Sequence, residues 1–495
     1  MAEVVERKPR REIRGTGLVF VCGAALFSDG YLNGSIGSVL TLLRRIYGAA
    51  VLADHQRGTV FAGIGFAGIV VGQLSFGWIV DRYGRKNPMY IANIIVFVFA
   101  ALSAGAYGKG GTPGSIIAAL TAYRFLTGIG IGAEYPAGSV ACAESSENSD
   151  VPSNRGNMLF ALFTNCAIDW GFVAGAAIPL FCVLGYGENH LRAAWRTTLG
   201  VGCVVPAVIF LLRLFIRSEP EAFQRSAITR AKMPWGLIFK RYWLRWSAIA
   251  LIWWIYDFSA YSFGLYSSTI IDVITGSSTK LTTVFAWNVV INSFYLPGCI
   301  GGALLLPFIG PKKLLIGALV IQAVIGYIMS GLYNHLTNHI AAFAVVYGLF
   351  LCFGEVGPGN CIGLLAAKSF PTPARGVLYG TAAAFGKVGA YCGTWAIPTL
   401  IGDYPATDSR SITVPFYLAS SLALLAAVIG FFLVEITPDF IAQEDVLFKE
   451  YLAEHGYDIS GMGLTDNAEG MQSHGSFEDD KVAATETTPT DEKVY

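Results

Sequence analysis

The sequence predicts an all-α membrane protein of twelve transmembrane helices, arranged as two pseudo-symmetric halves of six. Three observations carry that expectation. Of 495 residues, 54% are apolar (AVILMFWYC) and only 14% are charged, against roughly a quarter charged in a typical soluble domain. Twelve apolar runs reach the ~20 residues a helix needs to cross a bilayer core: 15–40, 58–80, 88–108, 115–138, 157–184, 194–216, 246–270, 283–307, 313–333, 340–367, 377–401 and 413–435. Motifs in the first six runs return in the second six.

The chain starts with a basic segment, 1–14, carrying Arg7, Lys8, Arg10, Arg11 and Arg14. The run that follows is too long for a signal peptide and lacks a clear cleavage site, so it reads as the first span. The N-terminal half then occupies 15–216. A polar linker, 217–245, carries Arg217, Arg225, Arg230, Lys232, Lys240, Arg241 and Arg245. Basic charge marks the cytoplasmic side. The loops with Arg82, Arg85 and Lys86, with Arg155, with Lys312 and Lys313, and with Arg375 fall on that side; Arg44, Arg45 and Arg57 fall on the other. Twelve spans place both termini in the cytoplasm. The C-terminal half occupies 246–435. The tail, 436–495, is too polar to fold alone and is expected to be solvated.

Several functions are disfavoured. Thirty-four basic and thirty-four acidic residues cancel, so no global field recruits nucleic acid. The nine cysteines form no CxxC pair, and neither a disulfide framework nor a metal site is expected. No cofactor is implied. The six histidines lie in loops or the tail, so none is a candidate for a proton relay within the membrane. Gly108-Lys-Gly-Gly-Thr lacks the spacing of a phosphate-binding loop. With no nucleophile–base pair either, the chain is not expected to be an enzyme or to hydrolyse ATP. Gly63-x-Gly65-x-x-Gly68 fits a dinucleotide fingerprint, but no strand precedes it. Small residues at that spacing let membrane helices approach.

The repeat is visible at matched positions. Gly77-Trp-Ile-Val-Asp81-Arg82-Tyr-Gly84-Arg85-Lys86 follows span 2, and Pro307-Phe-Ile-Gly310-Pro-Lys312 follows span 8. Gly84 and Gly310 lie 226 residues apart, as do Glu134 and Asn360; Asp29 and Asp257 lie 228 apart. Such spacing suits parallel repeats. Pro307 stands where Asp81 does, so a latch built on that acid should be weaker in the second half.

Ionisable residues inside spans are costly and point to function. They are Asp29, Arg124, Glu134, Asp169, Asp257, Glu355 and Lys387; the alternative reading is ion pairing that fixes helix packing. Trp253, Asp257 and Tyr261 share one helix face, as do Asn165 with Asp169, Asp29 with Asn33, and Asn288 with Asn292. Such stripes suit a wet cavity. Lys387, the sole lysine expected at a core position, needs an anion: a substrate phosphate, a carboxylate partner, or water.

G-x3-D-R-x-G-R-K after span 2, with Arg124, Gly128 and Gly132 in span 4, resembles the major facilitator superfamily. That resemblance implies two six-helix halves around a central cavity, a monomer, and a gating role for Asp81, Arg82, Gly84, Arg85 and Arg124. W-x3-D-x3-Y on span 7, Glu134-Tyr135, Asp29 and Gly386-Lys387-Val388-Gly389 resemble the phosphate:proton symporters within it. SDGY in span 1, GAEYP in span 4 and GPGNCIGLLAAKSFP in span 10 resemble the fungal glycerophosphoinositol permeases. Here the acid of span 4 is Glu rather than Asp, and G-P-G-N replaces G-P-N, so Asn360 is displaced by one position.

The resemblance implies import of a glycerophosphodiester such as glycerophosphoinositol, with protons, across the plasma membrane by alternating access. Asp29 and Glu134 would carry protons. Asp257, Trp253, Tyr261, Lys387, Tyr135, Asn165, Asn360 and Asp169 would bind the small anionic organophosphate. The partners are then substrate, protons and the lipid bilayer. Inorganic phosphate symport, glycerophosphocholine uptake, sugar or polyol transport and a transporter-like nutrient sensor remain as alternatives.

Overall fold

Helix follows from the solvent: in hydrocarbon every backbone N–H and C=O must be paired within the chain. The computed structural model describes residues 13, 15–147, 151–152, 155–216, 219–228, 233–275, 280–402, 408–437, 439–460 and 462–463. Residues 1–12, Arg14, Arg217, Arg230, Lys232 and 464–495, to which the sequence assigned basic or solvated character, lie outside them. The described residues contain no strand. Helix α1 spans 16–47, interrupted by a 3-10 turn at Ala24–Leu26. The N-terminal half continues with α2 Arg57–Tyr83, α3 Lys86–Ala104, α4 Pro113–Ser145, α5 Gly156–Tyr186 and α6 Glu188–Arg213. The second half comprises α7 Trp235–Thr275, α8 Leu281–Ile309, α9 Pro311–Gly331, α10 Ile340–Lys368, α11 Arg375–Gly402 and α12 Arg410–Gly430. A further helix, α13, covers Phe440–Glu454.

Among the described residues, ten helices are long and apolar enough to cross a membrane, five per half. The sequence predicted twelve spans. The two long helices outside the ten, α1 and α11, are rich in Gly, Ser, Thr and charge, and they bring Asp29 and Lys387 to the centre. Large apolar side chains such as Trp78, Leu184 and Phe308 point outward, as a lipid-facing belt requires.

Close packing uses the small residues. A Cβ on Gly68 would fall 2.0 Å from the carbonyl oxygen of Phe125, and one on Gly128 would fall 2.3 Å from that of Gly65. The glycine run of α2 is therefore a helix–helix seam with α4. The halves meet along α2–α11, α5–α8 and α1–α7. On the face holding Asp81, Gly77 abuts Gly376; towards the other face, Gly63 abuts Thr394 and Gly37 abuts the Leu265 carbonyl. The halves are therefore in close contact on both faces.

The repeat is structural. Gly84 and Gly310 end α2 and α8 with φ of +93° and +80°, left-handed values that glycine adopts without a Cβ penalty. Both α4 and α10 contain a wide π-turn, at Tyr135–Ser139 and Glu355–Gly359. Each turn includes a proline, which lacks the N–H for a regular helix. These turns lie 220 residues apart, so the sequence pairing of Glu134 with Asn360 is six residues out of register. Tyr135 stands opposite Glu355 instead.

Two stretches differ from expectation. Helix α7 starts at Trp235, inside the segment expected to be loop, because Ile238 and Tyr242 give it a buried side. The tail from 436 is not simply solvated. Ile441, Phe448 and Leu452 of α13 are buried, with Phe448 beside Tyr242. A neighbouring surface supplies what the tail could not bury alone.

Candidate functional site

Between the halves lies a small cavity of about 50 Å³, room for a few waters. Its lining includes all eight residues expected to bind substrate: Tyr135, Asn165, Asp169, Trp253, Asp257, Tyr261, Asn360 and Lys387. At one end the Lys387 ammonium sits 3.1 Å from Asp257 Oδ2 and 3.7 Å from Asp29 Oδ2. It also lies 3.5 Å from the centre of the Tyr261 ring, a cation–π contact. Lys387 is thus not a lone ammonium. The repeat-related aspartates of α1 and α7 flank it.

The glycines beside Lys387 make this approach possible. A Cβ on Gly386 would fall 2.6 Å from the Trp253 ring, and one on Gly389 would fall 2.2 Å from the Trp254 carbonyl. Asp29 is densely hydrogen-bonded. Its Oδ1 accepts from Asn33 Nδ2 (2.6 Å), and its Oδ2 accepts from the hydroxyls of Tyr261 (2.9 Å) and Tyr135. Asp257 differs: its Oδ2 takes no well-aligned hydrogen bond, and the residue lines the cavity. Its closest polar neighbour is the Lys387 ammonium.

The other end is acidic and crosses the halves. Asn165 Nδ2 donates to Asp169 Oδ2 (3.3 Å), Glu355 Oε2 (3.0 Å) and Asn360 Oδ1 (3.3 Å). The Tyr256 hydroxyl donates to Glu355 Oε1 at 2.6 Å. The sequence flagged Glu355 only as a buried charge and gave Tyr256 no role. Tyr295 and Tyr379 also line the cavity and carry no sequence signal beyond their aromatic character.

Glu134 stands apart from the cavity. Its carboxylate forms a two-pronged ion pair with Arg213, at 2.7 and 2.8 Å. Arg213 also donates to the carbonyls of Val21, Met89 and Cys22. Arg124 likewise lies away from the Asp81 loop. It donates to the carbonyls of Leu32 and Ala62 and to Asn33 Oδ1, and so braces Asp29 through Asn33.

On the closed face, Asp81 accepts the backbone N–H groups of Gly376 and Val377, both at 2.8 Å. It caps α11 across the half interface, where the helix dipole favours negative charge. Arg85, fully buried, holds Glu144 (2.9 Å) and Asp81 (3.2 Å). Glu144 also takes Arg375 of the other half at 2.8 Å, and Lys368 reaches across to Glu147 at 2.7 Å. Arg82 is exposed. At the repeat-related place after α8 stands the exposed pair Lys313–Glu435, the kind worth about 0–1 kcal/mol. Over this face lies α13. Asp445 accepts the Thr372 N–H (2.7 Å) and hydroxyl (2.6 Å), and Glu444 accepts the Tyr242 hydroxyl (2.6 Å). Burial holds the Asp445 carboxyl above its ordinary range, against the pull of Arg375.

Comparison with known proteins follows the same lines. The family model described as sugar (and other) transporter matches residues 18–221 and 218–448. A glycerophosphocholine permease of Candida albicans is 42% identical over 93% of this chain and 86% of its own. The major glycerophosphoinositol permease of the same organism is 42% identical, over 90% and 83%. Glycerophosphoinositol transporter 1 of Saccharomyces cerevisiae is 30% identical, over 89% and 83%. Among solved structures, the proton:xylose symporter XylE bound to 6-bromo-6-deoxy-D-glucose matches with a TM-score of 0.71 at 16% identity. It covers 87% of this chain and 98% of that one.

Proposed function

This chain belongs to the sugar (and other) transporter family of the major facilitator superfamily, in the branch of the fungal glycerophosphodiester permeases, and from that premise we propose that it imports a glycerophosphodiester together with protons by alternating access. The observation that carries the reading is the ion cluster: one ammonium between two aspartates of equivalent helices, at the wall of a small cavity between the halves. A phosphodiester anion is the natural competitor of Asp257 for Lys387. Once displaced, Asp257 accepts hydrogen bonds from the substrate hydroxyls, and Trp253 borders the ligand.

Protons enter by the same electrostatics. Two carboxylates, Asp29 and Asp257, flank one ammonium, so an incoming anion is favoured when a carboxyl is neutralised first. Asp29, linked to both Lys387 and the substrate-facing tyrosines, is the proton carrier in this scheme. Glu134, paired to Arg213, holds the N-terminal half together. The Asp81–Arg85–Glu144 network latches the basic face, which the charge rule assigns to the cytoplasm of a plasma-membrane carrier with both termini inside. Loading from outside would precede rupture of this latch.

The test is uptake of labelled glycerophosphoinositol, glycerophosphocholine and inorganic phosphate in reconstituted vesicles, with and without a protonophore. Accumulation of a glycerophosphodiester that collapses with the protonophore is expected. Uptake indifferent to it would overturn the coupling, and uptake of phosphate alone would move the chain to phosphate symport.

A further inference from the structure

On the face opposite the Asp81 latch, outward in the orientation proposed above, the connections of the N-terminal half carry a basic charge that the transport scheme does not use. The α1–α2 loop has Arg44, Arg45 and Arg57 against Asp54, the α3–α4 loop has Lys109 alone, and the start of α6 has Arg192 and Arg196 against Glu188. The charge rule gathers Lys and Arg on the cytoplasmic face, so topology does not account for this excess.

A second cavity lies on that face, of about 490 Å³ against about 50 Å³ at the centre, within the roughly 300–1,000 Å³ of small-molecule pockets. Its walls are the two halves: Arg44, Gln56 and Thr59 line it from one, and Tyr266, Pro398 and Ile401 from the other. It stands in line with the central cavity. Along α1 the order is Asp29, Gly37, Arg44, and along α11 it is Lys387, Thr394, Ile401. Steps of seven or eight residues keep each set on one helix face, and Gly37 and Thr394 make the contacts that separate the two cavities. At a rise of 1.5 Å per residue, Arg44 stands about 22 Å beyond Asp29. An arginine at the end of a span commonly reaches for the lipid interface. Arg44 instead lines the space between the halves, exposed, with no hydrogen bond or ion pair to any described residue. It acts electrostatically on the Tyr266 hydroxyl, which donates to the Thr394 carbonyl at 2.9 Å. The adjoining loop is strained. His55 and Gln56, with φ of +50° and +54°, are the non-glycine residues with positive φ among the described ones, and such strain gathers at ligand clamps.

We propose that the outer cavity is a docking site, where Arg44 holds the phosphate of an organophosphate anion before the contacts at Gly37 and Thr394 part. For the identity of the anion the proposal rests on the phosphodiester reading above. The outer cavity has the room that the central one lacks. Its basic approach concentrates anions, as a charged cleft does, and its apolar wall suits the carbon body of an ester. The Arg44 guanidinium can offer a phosphate two parallel hydrogen bonds without first breaking an ion pair, whereas Lys387 has to leave Asp257.

The experiment places a reporter thiol in the outer cavity of the purified full chain by Ala53→Cys, at an exposed lining residue, with the parent chain as blank. Its labelling rates with an anionic sulfonatoethyl and a cationic trimethylammonioethyl methanethiosulfonate are each normalised to a free thiol. The anionic reagent should be favoured about tenfold, the lower end of electrostatic focusing in a cleft. Arg44→Gln should remove that preference and Arg44→Lys should keep most of it. Glycerophosphoinositol should slow the labelling by about fivefold or more. This protection should be lost in Arg44→Gln and survive in Asp257→Asn/Lys387→Ala, which strips the central site of its ion pair. Equal rates for the two reagents overturn the docking site, and this comparison decides the matter even where the double variant fails to fold. Protection that survives Arg44→Gln but not the double variant also overturns it, because the ligand then acts from the centre. Protection by inorganic phosphate and by no glycerophosphodiester keeps the anion site and overturns the phosphodiester reading. Protonophore-sensitive uptake of a glycerophosphodiester without any protection overturns the site and leaves that reading standing.

Discussion

The ammonium of Lys387 and the carboxylate of Asp257 lie 3.1 Å apart, both about 1% exposed; loss of Lys387 leaves Asp257 without a counter-ion in the protein interior, and loss of Asp257 leaves Lys387 only the longer contact to Asp29. Removing one partner of such a pair costs about 3–5 kcal/mol. Lys387→Ala and Asp257→Asn should each lower the melting temperature of the purified protein and abolish uptake. The double neutral variant should recover most of the stability and still fail to transport. Full stability in Lys387→Ala alone would show that the pair does not hold the resting state together.

Asp29 and Glu134 should separate cleanly. Glu134→Gln breaks the two-pronged pair with Arg213 and should cost about 3–5 kcal/mol, read as lost expression and a lower melting temperature. Asp29→Asn keeps a side chain of the same shape. It should fold, and its residual uptake should no longer respond to a protonophore. A stable Glu134→Gln protein with uncoupled uptake would restore Glu134 as a proton carrier.

Asp81→Asn weakens two backbone hydrogen bonds to α11, each worth about 1.5–3 kcal/mol when the acceptor is charged. Hydrogen exchange over residues 370–378 should rise. Substrate affinity should stay within about threefold of wild type, because the latch lies outside the cavity. A large loss of affinity with unchanged exchange would count against the latch.

The docking of α13 should depend on pH. The Asp445 carboxyl is raised by burial, so the docked helix retains a proton that the released helix gives up. Docking is then strongest below the ordinary carboxylate pKa and weakens as pH climbs through the docked value. After correction for intrinsic rates, exchange across 441–452 should be faster at about pH 8 than at about pH 5, and Asp445→Asn should flatten that difference. The reverse slope would refute the assignment.

The central cluster was legible because its residues break local rules. An aspartate at 29, another at 257 and a lysine at 387 inside apolar runs are conspicuous, and the Trp253–Asp257–Tyr261 stripe shows which face is wet. Their mutual pairing was legible only as one of three possibilities for Lys387, since choosing among them depends on how closely α7 and α11 approach at Gly386 and Gly389. Arg213 escaped notice for a related reason: at the end of an apolar run it reads as a residue reaching toward the interface. Glu144 lay just past a span and looked like loop. The signal for α13 was present in Ile441, Phe448 and Leu452, spaced seven and four residues apart, but a stripe so short has no meaning without the surface it meets. The helix-4 register failed because a constant offset assumes that no residues were gained or lost between the two copies.

That Lys387 already has counter-ions within the protein bears on the return leg of the cycle. After cargo leaves, a carrier with a naked buried cation would stall until another anion arrived, and it could only swap one substrate for another. Here Asp257 and Asp29 neutralise the cation by themselves, beside a cavity of about 50 Å³, too small for a phosphodiester. On the alternating-access cycle proposed above, the unloaded protein would then be free to reorient, and net accumulation rather than obligatory exchange is the expected mode of operation.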